Sequence, residues 1–141
     1  MAKTLNYKHM KRATILSAAF PLRGGIAHFA GLLYKELIKS LDIDVITFKR
    51  QYPSFLFPGK TQYVKDGTPP DIEIKSELHS INIFSWGSTF RKILKEEADL
   101  IILHYWMPFF APQLIFLLRK LKRNPAKVIL LAHNLIPHER Q

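Results

Sequence analysis

Three short segments hold the residues whose types and spacing could do chemistry. The first is Arg23-Gly24-Gly25, between an apolar run and a helical pattern that begins at Ile26. Adjacent glycines admit backbone conformations closed to other residues and let a ligand approach closely. The free N–H groups and dipole of a helix start favour an anion such as a phosphate or a sugar carboxylate, and Arg23 can pair with phosphate. A plain strand-to-helix turn is the competing reading. The second segment, His104-Tyr105-Trp106-Met107-Pro108, offers an imidazole and large rings that could stack on a sugar and bond its hydroxyls, or simply form a packed aromatic cluster. The third contains His133-Asn134 and His138-Glu139. A histidine leaving a strand can point into a cleft and donate or accept a hydrogen bond near neutral pH.

Spacing excludes several familiar chemistries. The glycines at 24, 25 and 31 do not make G-x-G-x-x-G, and no Gly-Lys-Ser/Thr follows them, so neither the dinucleotide fingerprint nor a P-loop is present. His133, His138 and Glu139 do not fit H-E-x-x-H. No serine occupies a G-x-S-x-G elbow. With no cysteine there is no disulfide and no thiolate metal site.

The elements that must position these segments follow from pattern. After a basic lead-in over 1–12, residues 13–19 read as a buried strand ended by Pro21 and the glycines. Ile26, Phe29, Ala30, Leu33, Leu37 and Leu41 recur at helical spacing, and 43–48 is a second strand rich in β-branched residues. Residues 49–70, with six glycines and prolines among aromatics, form a long loop. A half-exposed strand spans 71–78, and Ser88 is a candidate cap for a helix over 89–97. Residues 100–104 are a fourth strand, Pro112 can open a helix containing Leu114, Leu117, Leu118 and Leu121, and 127–132 is a fifth strand. Strands separated by helices call for parallel pairing. The expected fold is α/β: a Rossmann-like, open, mainly parallel sheet with helices on both faces. Loops after parallel strands gather at the carboxyl edge of such a sheet, where ligands bind.

Composition sets the class. The chain has 141 residues, 48% of them hydrophobic and 23% charged, which suits one folded domain. Its formal charge of +10, from 21 basic and 11 acidic residues, favours an anionic partner. Residues 100–118 hold no formal charge and are long enough for a membrane span, but Pro108 and Pro112 would free backbone groups that lipid cannot satisfy. A strand, a loop and a helix are expected there instead. Phe116, Arg119, Lys120 and Arg123 could form an apolar and basic face suited to a membrane surface.

In order along the chain, Pro21-Leu22-Arg23-Gly24-Gly25-Ile26-Ala27-His28-Phe29, then Phe48-Lys49-Arg50-Gln51-Tyr52-Pro53 with Leu56-Phe57-Pro58-Gly59-Lys60-Thr61-Gln62, then His133-Asn134 with Ile136-Pro137-His138-Glu139, resemble the amino-terminal domain of bacterial family 4 glycosyltransferases of the GT-B type. The resemblance covers nearly everything from Ala13 on. It implies one half of a two-domain retaining enzyme of polysaccharide biosynthesis. Such an enzyme moves a hexose from a nucleotide sugar to a glycan or lipid-linked acceptor and needs no further cofactor or metal. It places Gly24 and Gly25 near the donor diphosphate, which Arg23 could pair with, and His133, the candidate catalytic residue, near the transferred sugar. His104, Trp106, Asn134, His138 and Glu139 are candidate sugar or acceptor contacts. The sequence ends at Gln141 without the donor-binding domain and its paired glutamates, so the fragment alone is expected to be inactive and its fifth strand to lack covering neighbours. A cytoplasmic location, peripheral on the inner face of the membrane, would follow.

Two rivals stay open. One is a non-enzymatic basic module on an anionic membrane or nucleic acid. Nucleic acid is the less expected partner, because no recognition helix or aromatic strand face is evident. The other is a nucleotide-binding regulator. NAD is disfavoured, since Phe48-Lys49-Arg50 stands where an acidic residue would close the second strand.

Overall fold

The computed structural model describes residues 10–53, 63–64 and 72–134. The elements run β1 (Arg12–Leu16), α1 (Gly25–Leu37), β2 (Asp42–Arg50), β3 (Ile74–His79), α2 (Ile83–Lys95), β4 (Leu100–Tyr105), a 3₁₀ turn (Pro108–Phe110), α3 (Ala111–Leu121) and β5 (Lys127–Ala132). The five strands make one sheet in the order β3-β2-β1-β4-β5, and every pairing is parallel. This is an open Rossmann-like α/β fold.

Side chains alternate across a strand, so each strand feeds two cores. Ala13, Ile15, Ile43, Val45, Leu100 and Ile102 point to one face, where Tyr34, Leu33 and Leu37 of α1 cover them. Leu16, Ile46, Phe48, Leu78, Ile101 and Leu103 point to the other, under Ile93 of α2 and Leu114, Leu117 and Leu121 of α3. Central strands buried on both faces explain the near-continuous apolar runs in the sequence. Each fully buried large aliphatic side chain contributes roughly 1.5–3 kcal/mol.

Several boundaries differ from the sequence reading: β2 is longer at both ends than 43–48, β3 begins at Ile74 rather than at 71 and ends at His79, and β1, α2 and α1 shift as well. The first strand stops at Leu16, because Ala19 leaves the ladder and donates its N–H to the Thr47 hydroxyl at 2.8 Å. The second helix starts at Ile83, not Thr89. Asn82 caps it, its side chain accepting from the Phe84 N–H at 3.0 Å, while Ser88 lies mid-helix and donates to the Ser85 carbonyl. The first helix ends at Leu37, with Leu41 beyond it. Residues 100–118 divide among β4, the turn and α3, and among the described residues no helix is long and apolar enough to cross a membrane.

At the amino edge of the sheet, Arg12 and Lys75 both bind Asp44 and Glu96 at 2.7–3.0 Å. Asp99 accepts the Lys11 and Arg12 N–H groups there. Over the carboxyl end of β1, Tyr63 bridges Leu22 and donates its hydroxyl to the Lys49 carbonyl, and Val64 N–H bonds the Pro21 carbonyl.

Candidate functional site at the carboxyl edge

Residues Arg23, Gly24, Gly25, His104, Trp106, His133 and Asn134 all follow or end a strand at the carboxyl edge. His138 and Glu139 lie outside the described residues.

The turn after β1 is shaped by Gly24, whose φ of 128° is a conformation L side chains rarely adopt. Gly25 then opens α1. No side chain caps this helix and its first turn has no acidic residue. Its leading N–H groups therefore lack intrahelical partners and face the edge. Arg23, Gly24, Gly25 and His28 are exposed, and Arg23 makes no ion pair among the described residues. A cleft of about 370 Å³ opens beside them, bordered by Arg23, Gly24, His28 and Lys35 and floored by Tyr34, Val45, Ile72 and Ile74. The helix start and Arg23 can hold an anion, and the apolar floor of the cleft can take a less polar group.

On the other flank of α1 the two histidines meet. His104 Nδ1 and His133 Nε2 are 3.1 Å apart, one ring donating and the other accepting. Register explains the meeting: His104 pairs with Leu131 across β4 and β5, and His133, two residues on, projects from the same face and bonds the Tyr105 carbonyl through its N–H. His104 is 1% exposed, and its Nε2 has no partner among the described residues. Burial pushes His104 down to about 4, with the neighbouring His133 adding to the effect. Burial also lowers His133. Both rings are thus neutral at pH 7. His133 is half-buried, so it is the member that can meet a ligand, while His104 orients it from behind.

Phe29 connects the two flanks. It lies one turn into α1, and its ring packs edge-on against His133 at 4.9 Å and tilted against His104 at 5.7 Å. The helical spacing predicts Phe29 in the core stripe of α1. It is 42% exposed instead, because that first turn overhangs the sheet. No periodicity reveals this, since the signal depends on where the strands end.

Trp106 requires a correction. It is buried against Phe48 and Phe110, and its indole N–H donates to the Tyr52 hydroxyl at 3.1 Å. Its ring is a core component with no open face for a sugar. The same holds for His104 as a direct ligand contact, since it is enclosed by Phe29 and His133. Asn134 is exposed, and its amide donates to the Trp106 carbonyl at 3.3 Å.

No protein-family model matches this sequence, and no curated protein matches it either.

Proposed function

We propose that the chain forms the acceptor-side domain of a retaining GT-B glycosyltransferase resembling family 4. Together with a donor-binding domain, it would move a hexose from a nucleotide sugar to a glycan or lipid-linked acceptor, in the cytoplasm. One observation carries the reading. Phe29 touches His104 and His133 while its helix begins at Gly25, so the glycine turn and the distant imidazole share one edge. Glycosyl transfer separates charge: a diphosphate leaves as an oxocarbenium-like centre forms. Preorganised donors at the leaving group lower that barrier. The uncapped N–H groups of α1 and the Arg23 guanidinium are suited to the diphosphate. A neutral His133, oriented by His104, is suited to a hydroxyl of the sugar.

Titration of the isotope-labelled chain with nucleoside diphosphates and their sugars tests the reading. Amide shifts should concentrate at Gly24, Gly25, Ile26 and His133, and Arg23→Ala should weaken binding roughly tenfold, the scale of one charge-assisted hydrogen bond. Shifts scattered elsewhere, or none, would refute it. Sequencing the coding DNA past the Gln141 codon tests the second half: a further α/β domain fits the proposal, and a stop codon reduces the chain to a binding domain. In an enzyme with both domains, Gly25→Val should cut turnover far more than stability, because a Cβ there meets nothing within 4 Å beyond the adjoining backbone and would stand in the open space where the diphosphate is proposed to bind.

A further inference from the structure

The face formed by α2 and α3 carries an unusual pairing of groups. At the head of α2, Ile81, Ile83 and Phe84 are 61%, 59% and 84% exposed. These three apolar side chains sit together in a polar-capped turn, whereas the sheet-facing positions of α2 are Ser85, Thr89 and Ile93. The amphipathic helix has thus put the Phe84 ring outward while Trp86 packs on Phe116.

The charges carried by the two helices have one sign. Helix α2 contributes Arg91, Lys92 and Lys95, α3 contributes Arg119 and Lys120, and neither helix contains an acidic residue. Lys92 is neutralised by Glu77 of β3. The other four make no salt bridge among the described residues. Arg91 follows Phe84 by seven residues, which places it on the same face about 10 Å along the axis. Lys120 is tied in through Phe116: its ammonium lies 5.9 Å from that ring, and the ring packs against Trp86. An apolar tip with cations set back by about two turns matches the layering of an anionic bilayer, acyl boundary below and phosphate headgroups above.

We propose that this face docks on an anionic lipid surface, with Ile81, Ile83 and Phe84 inserted and Arg91, Arg119 and Lys120 among the headgroups. The proposal deepens the transferase reading by bringing the carboxyl edge close to a lipid-linked acceptor. It requires no donor, so the two readings can fail separately.

Flotation of the chain with phosphatidylcholine vesicles, with and without phosphatidylglycerol, is the test. Binding should require phosphatidylglycerol and weaken with added salt. Phe84→Ser should weaken it at least about tenfold, given the apolar area it removes from the inserted tip. Both positions being exposed, Ile83→Ser with Phe84→Ser should leave circular dichroism and thermal unfolding unchanged. Brominated acyl chains should quench Trp86, while the buried Trp106 gives an unquenched background. Equal binding to neutral vesicles, no binding at all, or binding indifferent to Phe84→Ser would overturn the proposal. So would lipid-free self-association abolished by Phe84→Ser, which would make the face a contact between copies. Nucleotide-sugar shifts at Gly24 and Gly25 that persist in Phe84→Ser would show that the donor reading stands whatever the vesicles report.

Discussion

Gly24 and Gly25 are neighbours held by different constraints. Gly24 is required by its backbone: at φ 128° any side chain is strained, although a Cβ would meet nothing within 4 Å. Gly25 has ordinary helical geometry and open space. Gly24→Ala should therefore cost about 1–3 kcal/mol in urea unfolding, whereas Gly25→Ala should be neutral or stabilise by up to about 1 kcal/mol. His104 makes a second test at this scale. Its folded pKa of about 4 lies below the ordinary 6.5, so the unfolded chain binds the proton first as pH falls. Stability contributed by the neutral, buried ring is complete above about 6.5 and declines as pH falls toward 4, by about 3 kcal/mol from the one-unit equivalence of 1.36 kcal/mol. Unfolding measured across this range should show that slope, and His104→Gln should flatten it. The same variant should change the ring-nitrogen shifts of His133, since its hydrogen-bond partner at 3.1 Å is altered.

Helix α2 shows how an element can hide from pattern reading. Its buried stripe is Ser85, Thr89 and Ile93, two of them polar, and Gly87 interrupts the run. Hydrophobic periodicity therefore points to its second half only, and Ser88 looks like a beginning. The cap at Asn82 decides the start, because its side chain satisfies the Phe84 N–H that the helix leaves unpaired. Asn82→Ala should destabilise the protein by about 1 kcal/mol, and Ser88→Ala by less than about 0.5 kcal/mol, both measured by chemical denaturation. Strand β5 poses the opposite case. It matches its sequence boundaries and among the described residues pairs with β4 alone, with Ile129 and Leu130 42% and 46% exposed. Its apolar run is that of a buried strand, although one of its edges has no strand beside it among the described residues.

Across the whole molecule the two edges of the sheet divide the work. The amino edge is fastened by Arg12, Lys75, Asp44 and Glu96, and the carboxyl edge carries the exposed turn, the histidine pair and the apolar tip of α2. Burial acts to raise Asp44, but the hydrogen bond and charge of Lys75, with those of Arg12, outweigh it and hold its carboxyl below 3.8. For a depressed acid the stabilisation is present above the unfolded pKa and is lost as pH falls through the folded one. Asp44→Asn should thus cost about 1–3 kcal/mol at pH 7, and the gap from the parent should close as pH drops below 3.8. An acid titration of both proteins, followed by circular dichroism, checks this. The change should leave nucleotide binding intact, because Asp44 stands at the opposite end of β2 from the site.

Local chemistry determined much of this protein. Long apolar runs in 13–16, 43–48 and 100–104 specify central strands because burial on both faces leaves few polar choices, and Pro21 with the two glycines specifies a turn, in which Gly24 alone takes a backbone conformation that favours glycine. The type and order of elements followed, and with them the parallel sheet. What a sequence does not encode locally is which residues overhang an edge and which are enclosed by it. His104 and Trp106 both end β4, yet the first backs His133 and the second is sealed beneath Phe48 and Phe110. Phe29 and Phe84 both belong to helical patterns, yet one bridges the site and the other faces solvent. Those outcomes depend on strand register and helix placement that bring together residues as distant in sequence as Phe29 and His133, so only the assembled fold decides them.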